Sequence, residues 1–139
     1  MVYDAIVNGA RGILYWGTAY IPKDSPLWED LKRLVSELHN LEPLLSAPDA
    51  NEKIEITPHP SSASDEKTVR WLAKEWDGRW AIVLVNESDS PQAFDIGGLD
   101  ALNGKQLTVL NGEETLTVQN GKVTFGLRSQ TAEILVSSE

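Results

Sequence analysis

The chain has 139 residues, of which 41% are hydrophobic and 24% charged, the composition of a globular protein with room for one ordinary domain or a small domain plus an appendage. Its net charge of −9 argues against a nucleic-acid partner, because phosphate binding rests on clustered Lys and Arg, and the strongest basic cluster is only Lys32 and Arg33. Cysteine is absent, which excludes disulfides and thiolate metal sites and leaves the redox compartment open.

No apolar run approaches the roughly 18 residues of a membrane helix, so no membrane partner is expected. The opening residues have no basic stretch and carry Asp4, so they do not read as a signal peptide. Residues 1–8 read as a helix that Gly9 ends as a C′ residue. That helix has no N-cap and no polar first turn, which suggests a chain cut from something longer. Residues 11–16 come next, with Ile13, Leu14, Tyr15 and Trp16 in a row. A run apolar on both faces predicts a parallel strand covered on both sides. One strand cannot make a sheet, so this segment needs partners from elsewhere.

The second helix has clearer signals. Ser25 caps it and Pro26 takes N1, where a missing N–H costs nothing. Leu27, Leu31, Leu34, Val35, Leu38 and Leu41 form one apolar stripe. Glu29 and Arg33 are placed as an i,i+4 pair, and Pro43 is expected to stop the helix near Glu42. "LLSAPDANEK" then reads as a linker between a helix–strand–helix unit, residues 1–46, and a second unit, residues 52–139.

The second unit is strands and turns only. Asp77 with Gly78, Asn111 with Gly112 and Asn120 with Gly121 each tolerate the positive φ that a type I′ turn demands. The runs "KIEIT", "VRWLAKEW", "RWAIVLVN", "PQAFDI", "KQLTVL", "TLTV", "KVTF" and "TAEILV" supply about eight short strands. The expected fold is therefore mainly β: an antiparallel β-sandwich preceded by an N-terminal αβα segment.

"GARGILYWG" followed by "SPLWEDLKRLVSELHNLEPLL" resembles the last strand and last helix of a (β/α)8-barrel, or TIM-barrel, glycoside hydrolase, and the second unit resembles the C-terminal β-sandwich that many such enzymes carry. The resemblance implies a non-catalytic C-terminal fragment of a hydrolase of O-glycosidic bonds, its sandwich having an accessory, structural role. The family's catalytic carboxylates lie roughly 5 to 9.5 Å apart. They usually sit on earlier strands of the barrel, so no catalytic residue is assigned here. Trp16 falls at the C-terminal end of the presumed last strand, where barrels place ligand contacts. The resemblance thus implies that Trp16 stacks on a sugar ring, with Tyr20 on the following loop as a helper. A carbohydrate ligand and self-association through the N-terminal segment are the partners expected, and no cofactor is.

The remaining residues point to no chemistry. Glu75 and Asp77 are two apart, but the turn with Gly78 accounts for Asp77. His39 and His59 have no partner at metal-ligand spacing. The acidic pairs Asp65 with Glu66 and Glu113 with Glu114 lack the EF-hand spacing for calcium and read as solvated charge. Asn86, Glu87 and Ser88 match a glycosylation pattern inside a polar turn and receive no role. Trp71, Trp76 and Trp80 lie in one hairpin, with Trp76 and Trp80 expected to face each other across its turn and packing as their expected use. The alternative is a free-standing carbohydrate-binding module, which needs these rings exposed and aligned.

Overall fold

A computed structural model describes residues 1–61, 69–110 and 112–138. The second half is the expected antiparallel sandwich. Its strands are β1 (Glu55–Pro58), β2 (Val69–Trp76), β3 (Arg79–Asn86), β4 (Gln92–Gly97), β5 (Gln106–Val109), β6 (Thr115–Thr117), β7 (Val123–Leu127) and β8 (Ala132–Ser137). One sheet has the order β1-β4-β7 and the other β2-β3-β8-β5-β6. Two helices precede them, α1 (Val2–Val7) and α2 (Pro26–Leu45).

The turn chemistry works as the residues dictate. Asp77 and Gly78 have φ of 51° and 75°, and Asn120 and Gly121 have φ of 51° and 68°. The first pair closes the β2–β3 hairpin, in which Trp76 pairs with Arg79. The second closes a bridge between Gln119 and Lys122, where the chain crosses from the five-stranded sheet to the three-stranded one. The third expected turn includes Asn111, which lies outside the described residues.

Period-two alternation divides each central strand between two apolar layers. Trp80, Ile82 and Leu84 of β3, Phe94 and Ile96 of β4, Phe125 and Leu127 of β7 and Leu135 of β8 fill the space between the sheets. Ala81 and Val83 of β3 and Ile134 of β8 point the other way. There they meet Leu41 and Leu44 of α2, with Tyr3, Ile6 and Val7 of α1 packed alongside. The helices are thus a third layer on the five-stranded sheet, which explains why "RWAIVLVN" is apolar on both faces.

Four local expectations are corrected. Residues 11–16 form no strand, and among the described residues none of their backbone groups makes a hydrogen bond. A strand exists only through a paired neighbour, and among the described residues no strand pairs with this segment. Pro43 does not stop α2, which continues to Leu45. An internal proline costs about 3 kcal/mol, and burial of Leu41 and Leu44 against the sheet offsets it. Glu29 pairs with Lys32 at 2.8 Å rather than with Arg33, which reaches Asp30 at 3.5 Å. Trp76 and Trp80 lie on opposite faces, because Trp80 pairs with Glu75 and the Trp76 register is one residue off. The Ser25 cap is as expected: its hydroxyl accepts from the Trp28 N–H at 3.3 Å.

Candidate functional site: the aromatic surface and the unpaired segment

The chain leaves α1 through Gly9, whose φ is +93°, and runs back along α2 to a short turn at Thr18–Tyr20. Gly17 starts that turn with φ +79°, and its carbonyl accepts from the Tyr20 N–H at 2.9 Å. Between the two glycines the side chains alternate. Ile13 and Tyr15 line an open cleft of about 1060 Å3 together with Val35 and Leu38 of α2. Leu14 and Trp16 point away and are 90% and 91% exposed. Tyr20 is 85% exposed. The segment is therefore apolar on both faces, with Tyr15 half-buried, Ile13 36% exposed and no backbone hydrogen bond among the described residues. The Tyr15 hydroxyl is buried and has no hydrogen-bond partner among the described residues, at a cost of about 1–3 kcal/mol.

The helix opposite is covered in the same partial way. The α2 stripe is buried only at its C-terminal end, at Leu41 and Leu44, whereas Leu27 and Val35 are more than half exposed. Trp16 precedes the Thr18–Tyr20 turn and Tyr20 ends it, and both rings are exposed.

The three sandwich tryptophans separate. Trp80 is 3% exposed in the inter-sheet core, and Trp71 packs against the same cluster. Only Trp76 is open, at 50% exposure. A flat row of three rings does not exist, and the module reading keeps one of them.

The polar candidates resolve into structural roles. Glu75 holds the Lys53 ammonium at 2.5 Å, and that ammonium lies 5.9 Å from the Trp80 ring centroid. The hydrogen bond and charge of Glu75 raise the Lys53 pKa above its ordinary value. Asp77 sits in the turn, so the two acids do not work as a pair. His39 faces Glu42 at 3.5 Å on the exposed side of α2, and His59 Nδ1 meets the Ser61 hydroxyl at 2.6 Å. Asp65 and Glu66 lie outside the described residues. Among the described residues, no three His, Asp or Glu side chains are grouped to hold a metal ion.

Asn86 is the polar residue whose role sequence reading missed. It is 1% exposed. Its amide nitrogen donates to the carbonyls of Ser90 and Arg128, both at 2.9 Å, and its side-chain oxygen accepts from the Ser88 N–H at 3.0 Å. An amide so enclosed is a turn-closing device and offers nothing to a glycan. The signal was available in "NESDSP", since Asn commonly bonds to backbone two residues on.

A second cleft, of about 680 Å3, lies where α1 and α2 meet β8, lined by Tyr3, Glu37, Glu114, Arg128 and Glu133 among others. The Tyr3 hydroxyl donates to the Glu37 carboxylate. Burial raises the Glu133 pKa above its ordinary value of 4.5, Arg128 works against that shift, and Glu114 and Glu37 add to it.

No family model matches the chain, and no curated protein matches it. Solved structures do. AmyP, in its crystal structure in complex with maltose, is 23% identical with a TM-score of 0.53, over 81% of this chain and 21% of that one. The fold is shared with glycoside hydrolases. The Anoxybacillus α-amylase is 19% identical with a TM-score of 0.51, over 73% of this chain and 20% of its own. The α-amylase of Geobacillus thermoleovorans, solved with acarbose, is 13% identical with a TM-score of 0.50, over 70% and 20%. The chain thus spans about a fifth of the length of the enzymes it matches. At these identities the likeness is one of fold.

Proposed function

We propose that the chain is the non-catalytic C-terminal portion of a glycoside hydrolase. In this reading residues 1–46 are the last strand and helix of a barrel completed by other sequence, and residues 52–139 are an accessory sandwich with a structural, bracing role. The observation that carries it is the segment 11–16, with backbone groups unbonded on both edges and side chains alternating between α2 and open space. A closed barrel supplies what is missing there. Neighbouring strands take both edges, the outer helix layer takes Ile13 and Tyr15, and the interior takes Leu14 and Trp16. Trp16 then reaches the C-terminal mouth, where an indole stacks on a sugar ring, with Tyr20 beside it on the following turn. The substrate class is an O-glycoside. The complexes of the structural neighbours with maltose and acarbose favour an α-glucan. Without those neighbouring strands, a second copy of the chain takes the free edges, and self-association follows.

Limited trypsin digestion with light scattering tests this reading. Cleavage is expected at Arg11 and Lys23 before any site in the described strands of the sandwich, in a chain that self-associates as concentration rises. A monomer resistant at both sites would show that the segment is satisfied within its own chain, and the reading would fail. Release of reducing sugar from starch by the purified chain would overturn the non-catalytic role.

A further inference from the structure

The outer face of the β2–β3 hairpin carries a feature that neither the sandwich core nor the unpaired segment uses. Trp76 ends β2 on the side away from Trp80 and borders a cleft of about 560 Å3 between α2 and the five-stranded sheet. The floor of the cleft is apolar, with Leu41, Leu44 and Val136. One wall is α2, where Arg33, Ser36 and Asn40 recur at intervals of three and four and so share a face. The volume lies within the range of about 300–1,000 Å3 typical of small-ligand sites.

We propose that this cleft binds a short neutral oligosaccharide, with Trp76 as the stacking platform and Ser36, Asn40 and Arg33 as hydrogen-bonding groups for its hydroxyls. A pyranose ring presents C–H groups on its faces and hydroxyls around its rim. A half-exposed indole matches the face, because its negative π-surface attracts polarised C–H groups and both surfaces lose water. The rim needs donors and acceptors together, which a hydroxyl and an amide supply. Both charge signs line the cleft, with Arg33 and Arg79 against Glu37. A strongly anionic or cationic ligand would therefore meet a like charge in it. Glu37 and Arg79 already hold other partners and shape the wall. The inference does not depend on what completes residues 1–46, and its failure leaves that reading intact.

The test is a titration of the whole chain with maltose, maltotriose and cellobiose into the millimolar range, following the indole N–H resonances by NMR. The chain has five tryptophans, so each resonance is assigned by substitution. Saturable shifts centred on Trp76 are expected for at least one sugar. Trp76→Ala and, separately, Asn40→Ala should each weaken that binding on the order of tenfold, or about 1.4 kcal/mol. Both positions are exposed, so the fold survives either change. No saturable response to any of the three sugars would overturn the proposal. So would a response that persists in Trp76→Ala.

Discussion

The sandwich and the N-terminal 46 residues use the same kinds of side chain to opposite effect. In β3, Ile82 and Leu84 face one apolar layer, Ala81 and Val83 face another, and both edges are paired, to β2 and to β8. In residues 11–16, an apolar run has one face only partly covered, at Tyr15, and among the described residues neither edge is paired. Composition does not separate the two segments. What separates them is whether the surrounding chain supplies two edges and two faces. An apolar run is only a request for burial, and the request is met in one region and open in the other.

The largest expected effect lies in the satisfied region. Phe94→Ala removes a fully enclosed ring from between the sheets and should cost about 3–5 kcal/mol, read from urea unfolding at constant slope. A loss below about 1 kcal/mol would mean that the two sheets are not packed as described. Next comes Asn86→Ala, which leaves the Ser90 carbonyl and Ser88 N–H of the β3–β4 turn, and the Arg128 carbonyl after β7, without their partner. A loss of about 1–3 kcal/mol is expected from the same measurement.

The contrast sharpens at Trp16. Trp16→Ala should change stability by no more than about 0.5 kcal/mol, despite deleting the largest kind of side chain, because the ring touches little of its own chain. A loss comparable to that of Phe94→Ala would erase the distinction between the regions. The smallest effect is expected where they meet. Burial raises the pKa of Glu133, on the strand beneath α1 and α2, so folding favours its protonated form. The stability this contributes is fully present below its ordinary pKa of 4.5 and is lost as pH rises through the raised value. Glu133→Gln should flatten that part of the stability-versus-pH curve. An unchanged curve would mean that burial of Glu133 contributes nothing to the slope.

Much of this was legible in the chain, and the failures have a common cause. Eight strands, two type I′ turns and the Ser25 cap all followed from local chemistry, since a turn dipeptide or an N-cap acts on residues two or three away. Pro43 was misjudged because its local cost is outweighed by Leu41 and Leu44, whose burial depends on β3 and β8, far away in sequence. Trp76 and Trp80 were misplaced by one step of register, which decides which face of a sheet a side chain takes. The aromatic site suffered most from this, because exposure is a property of the neighbours. Three tryptophans in one hairpin look alike in sequence, and packing leaves only Trp76 in the open.

By itself, then, the order of residues determined that the second half forms the strands of a sandwich and that two helices precede it, how the hairpins turn, and that residues 11–16 are too apolar on both faces to stay in water without cost. Only the tertiary structure decided that α1 and α2 lie on the five-stranded sheet as a third layer, that Asn86 closes a turn, and that the segment alternates between α2 and open space. The physical reason is range. Propensity, capping and turn chemistry act within a few residues of the chain, whereas burial and strand pairing are settled by whatever surface folding brings alongside.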